Sequence, residues 1–265
     1  MARVGYVPLM GGNARNDMEM STSGGPAPGL SVVAPMLNEA GGAAALVAEI
    51  AAALSHMDHE IIIVDDASAD DTLVVLKKAQ DQFPQLRIIS HEKNAGQSRA
   101  LRTGVLAARG AVTAMLDGDG QNDPADIPAL LVKFDESGAD MVAGERVARK
   151  DRAAKKWASR AANALRRRLL RDGSADTGCG LKVFRRDAYL NLPYFDHMHR
   201  YLPALMKREG YSVIFAPVGH RARAHGRSKY SNFGRLVVAF RDIFGVLWLL
   251  ARAKNPGKIT ESARK

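Results

Sequence analysis

Two carboxylates one residue apart, Asp117 and Asp119, stand in a glycine-rich turn that also carries Gln121. Carboxylates joined by a side-chain amide make a hard-oxygen donor set, suited to Mg²⁺ or Mn²⁺ rather than zinc. The run before them, residues 112–116, is short and apolar, as in a strand buried on both faces of a parallel sheet. Gly118, Gly120 and Pro124 turn the chain where that run ends. In open α/β sheets ligands bind outside the carboxyl ends of the strands. Alone, the acidic pair reads equally well as a turn ahead of a helix starting near Pro124-Ala125-Asp126.

Two more acidic groups follow apolar runs in the same way. Asn38-Glu39 comes just after Pro35, and Asp65-Asp66 closes an Ile-rich stretch. A carboxylate at a strand end can accept hydrogen bonds from ribose hydroxyls or from a base N–H. Each group alone also suits a helix cap, and Asp70 ahead of Thr72 reads as one. Their recurrence after three successive strands is harder to assign to capping, and places Glu39, Asp66, Asp117 and Asp119 along one rim. Further on, within the basic stretch 221–229, Arg223 and Lys229 flank a Gly226/Ser228 turn, a combination suited to phosphate oxygens or to a solvated basic loop. His197, His199 and His225 lack metal-ligand spacing.

The elements that must position these groups alternate. Strands are expected at 30–34, 60–64, 86–90, 112–116 and 141–143, with helices at 43–54, 72–82, 97–108 and 125–136. That alternation predicts a doubly wound, mostly parallel sheet. The second half has a different texture: a basic helix over 149–171, strands at 180–184 and 211–216, a helix over 199–208, and a last helix over 233–252. No Gly-x-Gly-x-x-Gly follows the first strand, which removes the main support for a dinucleotide dehydrogenase.

The chain has 265 residues and a net charge of +10, which fits nucleic acid, an anionic membrane face or phosphorylated substrates. No aromatic-interleaved RNA-binding signature or zinc-finger spacing is present, so nucleic acid is not expected as a partner. The lone Cys179 excludes an internal disulfide, fits a reducing compartment and reads as a packed residue. No charged-then-apolar signal pattern opens the chain, and no apolar run reaches about 18 residues, so no membrane-spanning helix is expected.

Three segments taken together, 32–39, 62–70 and 117–121, resemble the inverting family-2 glycosyltransferases in order and spacing. The chain more narrowly resembles the dolichol- or polyprenyl-phosphate sugar transferases, from about residue 30 to 252. The resemblance implies a GT-A fold, a nucleotide-sugar donor, a Mg²⁺ or Mn²⁺ ion and a polyprenyl phosphate acceptor at the cytoplasmic membrane face. Carried over by position, Pro35, Glu39, Asp66, Asn94, Asp117 and Gly118 would bind the donor, with Asp66 facing the base. Asp117, Asp119 and Gln121 would hold the metal and diphosphate. Asp176 would serve as catalytic base or orienter, and Arg223 and Lys229 would bind phosphate oxygens of donor and acceptor. Lys155, Ser159 and Lys182 would face the lipid phosphate. Lys182 stands where many relatives carry Arg, keeping the charge but losing the bidentate fork.

Phe233, Leu236, Val237, Phe240, Phe244, Leu247, Trp248 and Ala251 recur at helical spacing on one face of the last helix, with Arg235 and Asp242 opposite. Its apolar stretch 243–251 would extend about 14 Å, against roughly 30 Å of hydrocarbon, so it cannot span a membrane. It can lie in an anionic membrane interface, which Trp248, Arg252 and Lys254 suit, or pack into the core or against a second copy in a homo-oligomer. Relatives that continue into transmembrane helices differ here, so a peripheral enzyme is expected. The expected organisation is a disordered tail over 1–29, a catalytic domain over 30–230, an amphipathic interface helix over 231–252 and a polar tail over 253–265. The same fold acting on a saccharide or soluble acceptor, and a non-catalytic nucleotide-binding module, are the alternatives.

Overall fold

A computed structural model describes residues 27–146, 168–170, 172–174, 176, 178–221, 232–254 and 260. Seven strands form one sheet: Leu30–Met36 (β1), His59–Asp65 (β2), Leu86–Ser90 (β3), Val112–Met115 (β4), Met141–Arg146 (β5), Lys182–Arg185 (β6) and Val213–Val218 (β7), in the order β3-β2-β1-β4-β6-β5-β7. Every pairing is parallel except the two made by β6, which runs antiparallel between β4 and β5.

The hydrophobic pattern sets the layers. Side chains alternate across a strand, so Val32, Ala34, Ile61 and Ile63 enter one core while Val33, Ile62 and Val64 enter the other. The first core is closed by Ala43–Ala53 (α1), Thr72–Gln80 (α2) and Ile127–Ser137 (α4). The second is closed by Gln97–Ala107 (α3), Arg186–Leu190 (α5), Leu202–Arg208 (α6) and Asn232–Ala251 (α7). With β1 buried along its whole length, each fully buried Val or Ile contributes roughly 1.5–3 kcal/mol. Helices on both faces of a sheet with six strands running one way bear out the α/β reading.

β7 runs two residues further than the pattern predicts, through Pro217 to Val218. As an edge strand paired only with β5, it tolerates a residue without an N–H.

The amino edge of the sheet holds a closed ion cluster. Glu60, 1% exposed, accepts from Ser31 Oγ (2.7 Å), the Arg109 N–H (2.7 Å), Arg87 Nη1 (2.6 Å) and Arg109 Nε (3.0 Å). Burial pushes its pKa up, but the hydrogen bonds from Ser31, Arg109 and Arg87 outweigh it and hold Glu60 below the ordinary carboxylate value. That carboxylate is fully satisfied and structural. Asp117, at the opposite edge, is in a different state.

Candidate active site

The parallel strands bring their carboxyl ends to one edge, and antiparallel β6 brings its amino end there, with Met115 paired to Lys182. Glu39 after β1, Asp66 after β2, Asp117 after β4 and Gly180 before β6 therefore share a rim. The expected rim is present, and two close approaches define it. A Cβ on Gly118 would overlap the Pro35 carbonyl oxygen and lie 2.8 Å from Met36 Cγ; one on Gly180 would overlap the Asp117 carboxylate and lie 2.7 Å from Asn122 Oδ1. Asn38 and Ala67 both sit at positive φ (56° and 60°), a cost of roughly 1–2 kcal/mol for an alanine. They are braced across the strand ends: Ser68 Oγ accepts the Asn38 N–H (2.9 Å) and Asn38 Oδ1 accepts the Ala69 N–H (2.7 Å).

The acidic turn is held from several sides. The Asp117 N–H donates to Asn122 Oδ1 (3.0 Å), and the Gln121 N–H donates to Asp119 Oδ1 (3.1 Å). Gln97, the first residue of α3, donates its amide to Asp117 Oδ1 (2.7 Å). Burial, and then the Asp119 charge, push the Asp117 pKa up against the pull of Lys182, Gln97 and Arg146. Unlike Glu60, whose hydrogen bonds outweigh its burial, Asp117 has its ionised form disfavoured by burial and by the neighbouring Asp119. Mg²⁺ keeps several waters and is held by one or two carboxylates plus substrate phosphates. Two carboxylates and a side-chain amide in one turn fit such an ion; no group of three or more His, Cys, Asp or Glu among the described residues forms a cage of its own.

Lys182, expected to face a phosphate, is buried at 2% exposure, with its ammonium donating to the Cys179 carbonyl. Burial lowers its pKa, and its charge acts on Asp117 from inside the protein. Cys179 is a packed, buried thiol whose pKa burial raises. Asp176 lies in the fork of Arg146, with Nε to Oδ2 at 2.5 Å and Nη2 to Oδ1 at 2.7 Å, both side chains nearly buried. The Gly178 N–H adds a bond to Oδ1 (3.2 Å). A guanidinium fork favours the ionised carboxylate and occupies the lone pairs a base would use.

Asp66, 3% exposed, is also engaged inward. It accepts the Ala95 N–H (2.9 Å), the Gly96 N–H (2.8 Å) and His91 Nδ1 (2.7 Å), while Asn94 Nδ2 donates to its carbonyl (3.2 Å). Asp66 and Asn94 thereby fix the segment that enters α3. Glu39 is half-buried, its N–H given to Thr72 Oγ1 (2.9 Å). Asp70 accepts the Thr72 N–H (3.0 Å) from one residue before the Asp71 N-cap of α2, whose own side chain makes no capping bond. Ser98 Oγ lies 2.7 Å from His199 Nδ1, and burial holds that imidazole well below its ordinary pKa, so it is neutral at pH 7. Lys155, Ser159, Arg223 and Lys229 lie outside the described residues.

Arg146, Asn122 and His91 escaped the sequence reading, and His199 was weighed there only as a metal ligand. Arg146 had a usable signal, since it ends a strand whose carboxyl end reaches the same rim. The others are marked only by tertiary contacts.

The last helix differs from the single apolar face expected. Val246 is buried and Ile243, Leu247, Leu249 and Leu250 pack on the second core, whereas Phe244 (70%) and Trp248 (60%) are exposed beside Arg241, and Arg252 lies 5.4 Å from the Trp248 ring centroid. Asp242, expected on a polar face, is turned inward, 3.0 Å from His197 Nδ1. No helix among the described residues is long and apolar enough to cross a membrane.

Comparison with known proteins agrees with this architecture. Residues 31–192 match the model of glycosyl transferase family 2. A dodecaprenyl-phosphate galacturonate synthase from Rhizobium johnstonii is 36% identical over 234 residues, covering 86% of this chain and 69% of that protein. An undecaprenyl-phosphate 4-deoxy-4-formamido-L-arabinose transferase from Enterobacter sp. is 34% identical over 218 residues, covering 81% and 66%. The chain thus spans about two thirds of the length of these relatives. Among solved structures, glucosyl-3-phosphoglycerate synthase from Mycobacterium tuberculosis with Mn²⁺ and UDP aligns at TM-score 0.64 and 19% identity, over 87% of this chain and 82% of that one. A Pyrobaculum calidifontis mannosyltransferase with GDP-Man and Mn²⁺ aligns at 0.58 and 20%, over 86% and 71%. At these identities the structural likeness speaks for the fold.

Proposed function

The chain belongs to glycosyl transferase family 2 and has its α/β GT-A fold, and from that premise we propose that it transfers a sugar from a nucleoside diphosphate donor to a polyprenyl phosphate. The observation that carries the proposal is the Asp117/Asp119/Gln121 turn, two carboxylates and a side-chain amide at the ligand-binding edge of the sheet, with Gln97 oriented onto Asp117. The acceptor class follows the relatives, which act on dodecaprenyl and undecaprenyl phosphates.

In this reading Asp117, Asp119 and Gln121 would hold Mg²⁺ or Mn²⁺. The bound ion would offset charge that develops on the leaving group as the glycosidic bond breaks. Pro35, Glu39 and Gly118 line the nucleoside side of the rim, while Asp66 and Asn94 act through the backbone they fix. Gln97 orients Asp117, and Lys182 balances its charge from behind. The acceptor phosphate is already anionic near neutral pH, so attack on the anomeric carbon, with inversion, requires no strong base. Asp176, clamped by Arg146, accordingly orients rather than removes a proton. Arg223 and Lys229 serve phosphate oxygens, as do Lys155 and Ser159 on the acceptor side. Phe244 and Trp248, flanked by Arg241, Arg252 and Lys254, lie against an anionic membrane at the cytoplasmic face, where aromatic and basic side chains partition favourably.

The test incubates the protein with Mn²⁺ or Mg²⁺, polyprenyl phosphate and a panel of UDP- and GDP-sugars, and reads nucleoside diphosphate release with and without lipid. Lipid-dependent release from one donor is expected. Lipid-independent release, or none from any donor, would overturn the acceptor assignment.

A further inference from the structure

Beyond β7 the chain reaches back to the acidic turn and grips it. The Arg221 N–H donates to the Gln121 carbonyl (3.0 Å), and the Arg221 guanidinium takes both oxygens of Asp123, through Nε (3.1 Å) and Nη2 (2.7 Å). Its remaining arm, Nη1, reaches Glu49 of α1 (2.7 Å), and two residues earlier the Gly219 N–H donates to Asp126 Oδ2 (2.7 Å). Gln121 therefore has both backbone groups engaged, its N–H by Asp119 and its C=O by Arg221. The turn needs such restraint. Gly120 sits at φ +74° with open space around it, a conformation that is freely adopted and as freely left.

We infer that Arg221 is a positioning residue for the acidic turn, holding Gln121 and Asp119 in the geometry that receives the cation and the donor diphosphate. This rests on the donor-site reading above. A guanidinium is suited to the task because its planar fork fixes direction as well as charge. Glu49, Asp123 and Arg221 form one bracket, tying α1, the acidic turn and the end of β7 together at the rim. The segment 222–231, which contains Arg223 and Lys229, continues directly from this bracket.

Mn²⁺ binding to the full chain, followed by the loss of the free-ion electron paramagnetic resonance signal with UDP and separately with GDP, tests the inference. Arg221→Gln should weaken Mn²⁺ binding by about tenfold or more, as removing the partner that orients a ligand generally does. Arg221→Lys should recover only part of this, since it restores charge without the fork. Arg221 is 43% exposed at its side chain, so melting should move by no more than a few degrees. Asp123→Asn should show the same loss, and the double variant no more than either single one. Mn²⁺ binding by Arg221→Gln at the wild-type level, or additive losses in the double variant, would overturn the inference while leaving the donor site standing. Failure of the wild-type chain to bind Mn²⁺ with either nucleotide would remove the donor-site reading and this inference with it.

Discussion

Gly180→Ala places one methyl group against the carboxylate on which the proposed chemistry depends. The φ of Gly180 lies outside the left-handed region, so alanine is allowed there by the backbone and only the space is wanting. The added Cβ would overlap Asp117 Oδ2 and lie 2.7 Å from Asn122 Oδ1. A relaxed contact is roughly 3.5 Å, so Asn122 alone must retreat by about 0.8 Å and Asp117 further. Neither can do so freely, because Asn122 accepts the Asp117 N–H and Gln97 holds the other carboxylate oxygen. Overpacking of this kind costs about 1–3 kcal/mol of stability, and a displacement near 1 Å at a catalytic group costs about a hundredfold in rate. Gly110→Ala is the control, since its Cβ would lie 2.9 Å from both the N and Oγ of Ser31 at the opposite edge of the sheet. Thermal melting should fall by a comparable amount in both variants. Turnover per folded molecule, and Mn²⁺ affinity with nucleotide, should collapse in Gly180→Ala alone. Wild-type turnover in Gly180→Ala, or equal loss in Gly110→Ala, would refute the placement of the chemistry at Asp117.

Asp66→Asn replaces an oxygen that accepts a backbone N–H with a group that donates, and should cost roughly 1–3 kcal/mol in urea denaturation; an unchanged midpoint would contradict the clamp on Ala95 and Gly96. Burial and Asp119 raise the Asp117 pKa, so in the metal-free chain its contribution to stability is full below the ordinary 3.8 and is lost as pH rises through the raised folded value. A cation binds the ionised form, so Mn²⁺ with nucleotide should raise the melting temperature more at about pH 7 than at about pH 5; a pH-independent shift would argue against Asp117 as a ligand. Trp248→Ala and Phe244→Ala should leave melting unchanged, because both side chains are largely exposed, yet each should weaken co-sedimentation with anionic vesicles by about tenfold. Undiminished vesicle binding in the double variant would exclude this face.

The amino-terminal half of the fold was legible because its strands are apolar runs that end in turn residues, and their spacing leaves room for one helix each. The rim was legible for the same reason, since strand direction alone sends Glu39, Asp66 and Asp117 to one edge. What stayed hidden depends on contacts between distant segments. Nothing local in 182–185 says that it inserts antiparallel between β4 and β5, and that insertion is what buries Lys182 behind Asp117. By position Lys182 was expected to face the lipid phosphate, and only the Cys179 carbonyl and the Asp117 charge explain its buried place. The last helix was found but misread as having one apolar face. Apolar residues cover more of its circumference than the core can take, so Leu247 turns inward while Phe244 and Trp248 turn out. Arg146 could have been found by applying the strand-end rule to β5 as it was applied to β1, β2 and β4.

The antiparallel insertion of β6 also dictates the order in which the protein can assemble during synthesis. The first four strands pair among themselves, but β5 and β7 join the sheet only through β6, whose last residue lies 70 positions beyond the end of β4. At roughly 5–20 residues per second, β4 waits for about 4–14 s as an open edge after it has been made. Open edges recruit other strands, so this interval is when the nascent chain is most exposed to wrong pairing. Chains ending before Lys182 should accordingly aggregate on release, whereas a chain that includes β6 closes its sheet with the same strand that brings Lys182 behind Asp117 at the rim.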